Sequence, residues 1–222
     1  SAASAVYKRQ GNYSIKVINN SGLYATGNYS QAEGYLTLAS GDQSHAEGDN
    51  TTASGDYGSH SEGSFTTASG YGSHAEGRDT IASGHDGSHA EGKSTQSLAN
   101  ASHAEGYHTT AGGDYSHAEG LYSIASGNGS HAEGNSTVAS GDRSHAEGQG
   151  TTASGYVSHA QGIGSIATGN TSTASGYYTK ALGDYSYSEG YQTTASGYAS
   201  HAEGSNTTAS FYFTHAEGDS TT

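Results

Sequence analysis

The sequence repeats itself every fourteen residues from Gln31 to its end. Fourteen copies align on the segment Ser-His-Ala-Glu-Gly, and the spacing is 14 residues at every step except two of 15. Those two steps, His45 to His60 and His74 to His89, each carry one extra residue before the serine, which places the insertions in turns. So strict a period predicts a structure in which each repeat packs on the next.

Each repeat has two halves of seven residues, and both halves end in glycine. The first reads SHAEG, and the second reads TTASG or a relative such as TIASG or TKALG. A period of seven also occurs in coiled coils, but those require apolar a and d positions, and two glycines in every 14 residues would destabilise a helix. Alternating small and polar residues closed by glycine instead predict a short strand and a turn in each half.

The composition alone is that of a disordered chain. Leu, Ile, Val and Phe account for 19 of 222 residues, Trp, Met, Cys and Pro are absent, and the net charge is −14. Periodicity outweighs this composition, because stacked repeats supply each other's backbone hydrogen bonds. Only seven Lys and Arg oppose 21 acidic residues, so we expect no nucleic-acid partner. We also expect no membrane contact within this segment, since its longest apolar stretch is a few residues.

Alternation along SHAEG places Ser, Ala and Gly on one face of a strand and His and Glu on the other. In TTASG the first Thr, the Ala and the Gly share a face. The face common to both halves therefore holds only small residues, which predicts an all-β, flattened parallel β-roll over residues 23–222 with a very thin interior. Residues 1–22 break the pattern, and we predict that they form an N-terminal cap or a junction.

The fourteen-residue unit of paired SxAxG segments resembles the head repeat of trimeric autotransporter adhesins, the YadA-like or haemagglutinin-type repeat, over roughly residues 23–222. The resemblance implies a left-handed parallel β-roll solenoid, a homotrimer, and extracellular display on a bacterial cell surface for adhesion to a host surface protein or glycan. Similar repeats occur in phage tail fibres, so a structural segment of a virion tail remains the alternative.

The sequence departs from the family in one respect. The family often has Val and Ile (SVAIG) where this chain has His and Glu (SHAEG). If these positions face the threefold axis, as the resemblance implies, the trimer interior is polar. We therefore predict a trimer interface made of His45, Glu47, His60, Glu62, His74, Glu76, His89, Glu91, His103, Glu105, His117, Glu119, His131, Glu133, His145, Glu147, His159, Gln161, His201, Glu203, His215 and Glu217.

A glycine follows the glutamate position in all fourteen repeats. Glycine adopts positive φ without steric cost, which is what a tight turn requires. We predict turn glycines at Gly34, Gly48, Gly63, Gly77, Gly92, Gly106, Gly120, Gly134, Gly148, Gly162, Gly176, Gly190, Gly204 and Gly218.

Three functions other than adhesion fit parts of the pattern. Three histidines around a threefold axis would suit zinc or nickel, but the spacing within one chain gives no closed tetrahedral site, and we expect no metal and no cofactor. Eleven near-identical copies of this pair, one of them with Gln161 in place of the glutamate, are unlike the single special site of an enzyme, so we expect no catalysis. An ice-binding solenoid would use the threonine columns, yet that outward column is interrupted by residues such as Gln96 and Lys180.

Overall fold

The computed structural model describes residues 13–17 and 23–222, which form about fourteen coils of an all-β parallel solenoid. The chain divides into two compact units, Ser1–Ala111 and Gly112–Thr222. The predicted all-β parallel solenoid is confirmed. The described ranges contain no helix, and therefore none that is long and apolar enough to cross a membrane. Most of the predicted N-terminal cap lies outside the described residues.

In the first unit, long strands alternate with two-residue strands. The strands are β1 (Ile15–Val17), β2 (Tyr24–Ala25), β3 (Gln31–Tyr35), β4 (Leu38–Ala39), β5 (His45–Asp49), β6 (Thr52–Ala53), β7 (His60–Ser64), β8 (Thr67–Ala68), β9 (His74–Arg78), β10 (Ile81–Ala82), β11 (His89–Lys93), β12 (Gln96–Ser97), β13 (His103–Tyr107) and β14 (Thr110–Ala111). Odd-numbered strands pair in parallel with one another, as do even-numbered strands, so each coil contributes one strand to each of two sheets.

The second unit has the same alternation. Its strands are β15 (His117–Leu121), β16 (Ile124–Ala125), β17 (His131–Asn135), β18 (Val138–Ala139), β19 (His145–Gln149), β20 (Thr152–Ala153), β21 (His159–Ile163), β22 (Ile166–Ala167), β23 (Thr173–Tyr177), β24 (Lys180–Ala181), β25 (Tyr187–Tyr191), β26 (Thr194–Ala195), β27 (His201–Ser205), β28 (Thr208–Ala209) and β29 (His215–Ala216). Here too the long and the short strands form separate parallel sheets.

Neighbouring coils pair like residue with like. His45 lies opposite His60 and Glu47 opposite Glu62, although an extra residue separates these two coils. The extra residue is accommodated in the turn around Tyr57, as predicted, so the strands on either side keep their register. A one-residue slip would exchange the two faces of a strand, and the turns prevent that slip by absorbing the insertion.

The interior is one small side chain thick on each side. Alanines at the second position of the long strands and at the end of the short strands are buried, together with the Ser and Thr that precede these strands. Apart from Leu23, the largest fully buried side chains in the described residues are threonines. Because this core holds almost no large apolar side chains, the stacked backbone hydrogen bonds and the regular register carry much of the stability.

Except for Gly218, which follows β29, the predicted turn glycines occupy the fourth position of the long strands, just before the chain bends. Gly148 has a φ of +104°, and a Cβ built on it would lie 2.2 Å from the carbonyl oxygen of Gly162 in the next coil. The bend itself follows two residues later, where residues such as Asn50 also adopt positive φ. These glycines therefore serve two purposes: they allow an unusual φ and they allow close approach between coils.

Candidate functional site

The first position of most long strands carries a histidine that points away from the interior. Within the first unit the imidazoles of His45, His60, His74, His89 and His103 stack at ring-centroid distances of 4.8 Å with interplanar angles of at most 8°. In the second unit His117, His131, His145 and His159 stack in the same way at 4.8–4.9 Å. The spacing equals that of hydrogen-bonded strands, so the stack follows directly from the in-register sheet.

A glutamate two residues later lies on the same outward face and beside its histidine. Nε2 of the imidazole is 3.5–3.9 Å from a carboxylate oxygen of the same coil in most repeats. Both side chains are about one-third exposed. We call this surface, formed by the first and third residues of the long strands, the His–Glu face; a groove floored by the following glycines runs beside its carboxylates.

Two coils interrupt the face. Thr173 and Ser175 replace the pair in one coil, and Gln161 of the preceding coil donates a hydrogen bond from its amide to the hydroxyl of Ser175. In the next coil Tyr187 takes the histidine position and donates a hydrogen bond to Glu189 at 3.0 Å. The face therefore retains polar pairing at these coils but loses the continuous imidazole stack.

The carboxylates of the His–Glu face perturb one another. The pKa of Glu47 is raised to about 7 because its protonated carboxyl hydrogen-bonds Glu33, and because burial and the charge of Glu62 oppose ionisation. Burial and repulsion from Glu91 and Glu62 also raise the pKa of Glu76. The pKa of Glu133 is lowered instead, chiefly by a side-chain hydrogen bond with Glu147. At these three positions, neighbouring carboxyl groups of the column therefore influence one another's pKa.

The imidazoles respond to burial in the opposite sense. Burial lowers the pKa of His60, His74, His103 and His145, and repulsion from stacked neighbours lowers it further. A buried base loses affinity for its proton because the charged form is poorly solvated. The neutral imidazole therefore predominates at these four positions at pH 7.

We expect Glu47→Gln to stabilise the protein at pH 8 but not at pH 4. Because folding raises the pKa of Glu47, its protonated form stabilises the folded state. That contribution to the unfolding free energy is complete below pH 4.5 and is lost as the pH rises through 7. Replacing it by a neutral amide should raise stability at pH 8 by about 1 kcal/mol after screening at this partly exposed position. Thermal unfolding at both pH values, in buffer with a chelator, measures the difference.

Glu217→Gln is the matched control for this comparison. Glu217 is the last glutamate of the column, where it lines the groove after Glu189 and Glu203, and its side chain is 72% exposed. Its substitution should change the melting temperature little and equally at the two pH values. Equal effects of the two variants would contradict mutual repulsion along the column.

A set of carboxylates and amides at the turns was not predicted from the sequence. Asp42 accepts a hydrogen bond from the backbone N–H of Asn28 at 2.8 Å, and Asp56 accepts one from the N–H of Asp42 at 2.9 Å. In the second unit Asp184 caps Asn170 in the same way. The signal was an Asp or Asn directly after the glycine that ends the second half of the repeat. These side chains link consecutive coils and have a structural role.

The other outward face, on the short strands, is chemically mixed. Its positions include Thr52, Ile81, Gln96 and Lys180, and their side chains are half-buried or exposed. Aromatic side chains also project at the ends of long strands, where Tyr177 and Tyr191 stack at 5.1 Å. The short-strand face therefore has no uniform chemistry along the chain, whereas the His–Glu face has.

Comparison with known families agrees with this architecture. The profile of the YadA head domain repeat matches residues 32–57, 61–86, 118–144, 146–171, 167–186 and 188–210, which is more than half of the chain. The chain belongs to the YadA head domain repeat family. No curated protein matches the chain. Membership confirms the predicted family, and it identifies the solenoid as an adhesin-like head domain.

Proposed function

We propose that this YadA-like head is the displayed part of a homotrimeric, extracellular surface fibre that binds a host surface protein or glycan, and that the His–Glu face lines the interior of the trimer. YadA-like heads form homotrimers, which supports the assembly. The family is one of non-enzymatic adhesins, so we expect no catalytic activity from the head.

The observation that carries the proposal is that the solenoid interior contains almost no large apolar side chains. Alanine, serine and threonine fill it, with Leu23 as the one larger side chain among the fully buried residues described. A chain that buries so little apolar surface by itself is expected to be marginally stable, and association supplies additional buried surface. Flat, regular sheet faces are suited to such association because they present the same chemistry coil after coil.

The His–Glu face is the better candidate for the interior. Its His and Glu side chains are only about one-third exposed in the single chain. The groove beside the carboxylates, which is floored by glycines, leaves room for side chains of a second chain. Imidazole N–H groups donate to carboxylates, so three such faces can pair with one another. The exposed tyrosines at the turns, such as Tyr57, Tyr115 and Tyr185, would then remain available to a ligand.

Absolute mass by light scattering tests the assembly. At pH 7.5 we expect about three times the chain mass of 22.4 kDa. A mass equal to that of one chain over a hundredfold range of concentration would contradict the trimer.

Single cysteines test which face lies inside, because the native chain has none. Glu133→Cys places a thiol on the His–Glu face, and Val138→Cys places one on the short-strand face of the same coil. Since equivalent residues near a threefold axis approach each other, oxidation should link pairs of chains in the Glu133→Cys variant only. Selective linkage of Val138→Cys would place the short-strand face inside instead.

Adhesion is tested with beads coated with the protein and added to cultured epithelial cells. We expect more beads to remain attached after washing than for beads coated with albumin. Attachment no greater than that of albumin beads would contradict adhesion to this cell type, while leaving the mass and cysteine results unaffected.

A further inference from the structure

Consecutive coils bring together sets of side chains that are typical metal ligands. In His60, Glu62 and His74, one ligand atom from each residue lies within 4.8 Å of the other two. His131, Glu133 and His145 form an equivalent set in the second unit. Each set combines the histidine and glutamate of one coil with the histidine of the next.

A separate set lies in the last two coils. The carboxylate of Glu203 places one oxygen 3.6 Å from Nε2 of His201 and the other 3.6 Å from Nε2 of His215. The two imidazoles are parallel within 1° and their centroids are 4.6 Å apart. Because Tyr187 occupies the preceding histidine position, this pair is isolated from the longer stack.

The imidazole nitrogens in question have no hydrogen bond within the described part of the chain. Although the side chains are partly exposed, these Nε2 atoms themselves are buried. They belong to His45, His60, His74, His89, His131, His145, His159 and His201. A buried polar atom without a hydrogen bond is costly, and a bound cation would compensate for it.

We propose that pairs of consecutive coils bind a divalent first-row transition metal ion of the zinc class through two histidine Nε2 atoms and the intervening glutamate carboxylate. A tetrahedral zinc ion with bonds of about 2.0–2.1 Å needs ligand atoms about 3.4 Å apart. The ligand atoms of these partly exposed side chains therefore have to approach one another by about 1 Å or more when the ion binds. Water completes the coordination.

Ligand chemistry selects this class of ion. Imidazole is a ligand of zinc, copper and nickel, whereas calcium and magnesium prefer oxygen ligands alone. The charge of the ion also offsets the repulsion among the glutamates, which no Lys or Arg on the His–Glu face relieves. All ligands of a site come from one chain, so this proposal does not rest on the trimer.

Each Nε2 atom binds one ion, so sites that share a histidine exclude each other. His60→Gln leaves His45 without an adjacent imidazole, and His201→Gln leaves His215 without one. Each substitution should therefore remove one ion per chain, and the double variant should lose two. His85, an exposed turn residue outside the column, provides the control His85→Gln.

Calorimetric titration of the untagged, full 222-residue protein with Zn²⁺ at pH 7.5 tests these losses. We expect saturable binding whose stoichiometry falls by one in each single variant and stays at the native value in His85→Gln. Circular dichroism establishes that each variant is folded. Absence of zinc binding, or binding that Ca²⁺ reproduces and the histidine variants leave intact, would overturn the proposal and indicate only a diffuse acidic surface.

X-ray absorption at the zinc edge of the native protein needs no variant. Two imidazoles per ion are expected. Zero imidazoles, or three imidazoles per ion from a ring of chains, would overturn the assignment to one chain. Light scattering of the same samples with and without zinc reports the mass separately, so failure of the metal sites and failure of the trimer are distinguishable.

Discussion

Replacing Gly148 by alanine is expected to destabilise the second unit by at least about 3 kcal/mol or to prevent its folding. The φ of Gly148 is +104°, a value that alanine adopts only with strain. The added Cβ would also lie 2.2 Å from the carbonyl oxygen of Gly162, which is backbone and cannot rotate away. Relief requires the two coils to separate, and separation breaks the hydrogen bonds between them.

Gly150→Ala is the matched control, two residues away on the same strand-to-turn segment. Gly150 also has positive φ, at +65°, but a Cβ there would meet nothing within 4 Å. Other coils have Asn50 or Ser136 at the equivalent place with similar φ. We therefore expect a cost of about 1 kcal/mol for Gly150→Ala. Chemical denaturation followed by circular dichroism compares the two, and equal costs would contradict the close approach at Gly148.

The fold was predictable because the repeat determines register. Once Ser-His-Ala-Glu-Gly is assigned to a strand, pairing like with like is the arrangement that keeps every alanine, such as Ala46 and Ala132, inside and every histidine outside. The two insertions did not obscure this, since each lies next to a glycine in a turn. The scarcity of large apolar residues suggests a disordered chain only if the periodicity of the sequence is ignored.

The details of the His–Glu face were less accessible from the sequence. Alternation places His60 and Glu62 on one face, but the distance between their polar atoms depends on side-chain rotamers. That Glu203 contacts histidines of two coils depends on the same rotamers. The spacing of histidines excludes a closed tetrahedral site in one chain, whereas three ligands from neighbouring coils with water are sufficient for an open one.

The partner of the His–Glu face could not be predicted from one chain for a physical reason. Half-buried polar side chains are equally compatible with a face that contacts water and with a face that contacts another chain. The contact between His131 and Glu133, for example, lies within one chain and fits either environment. Mass and cross-linking therefore carry information that no pattern within the repeat contains.

The second large effect is expected at the alanine column of the interior, with Ala132→Leu. Ala132 is fully buried and pairs in register with Ala118 and Ala146, which are equally buried. Leucine adds three carbon atoms where the opposite wall also consists of small residues, and displacement of that wall propagates to the neighbouring coils. We expect a loss of about 3 kcal/mol or more in unfolding free energy, measured by denaturation.

Ala132→Ser separates the effect of volume from that of polarity. Ser61 and Ser188 occupy the same column in other coils, and their hydroxyls bond the threonine hydroxyl five residues later at 2.7 Å. Thr137 follows Ala132 by the same five residues, and its hydroxyl donates to Ser123, so its oxygen can accept a hydrogen bond from the introduced hydroxyl. The cost should therefore stay below about 1 kcal/mol. If Ala132→Ser cost as much as Ala132→Leu, polarity rather than thickness would limit this interior. If both were tolerated, the solenoid would have room for a conventional apolar core, and a lone chain would no longer need association for its stability.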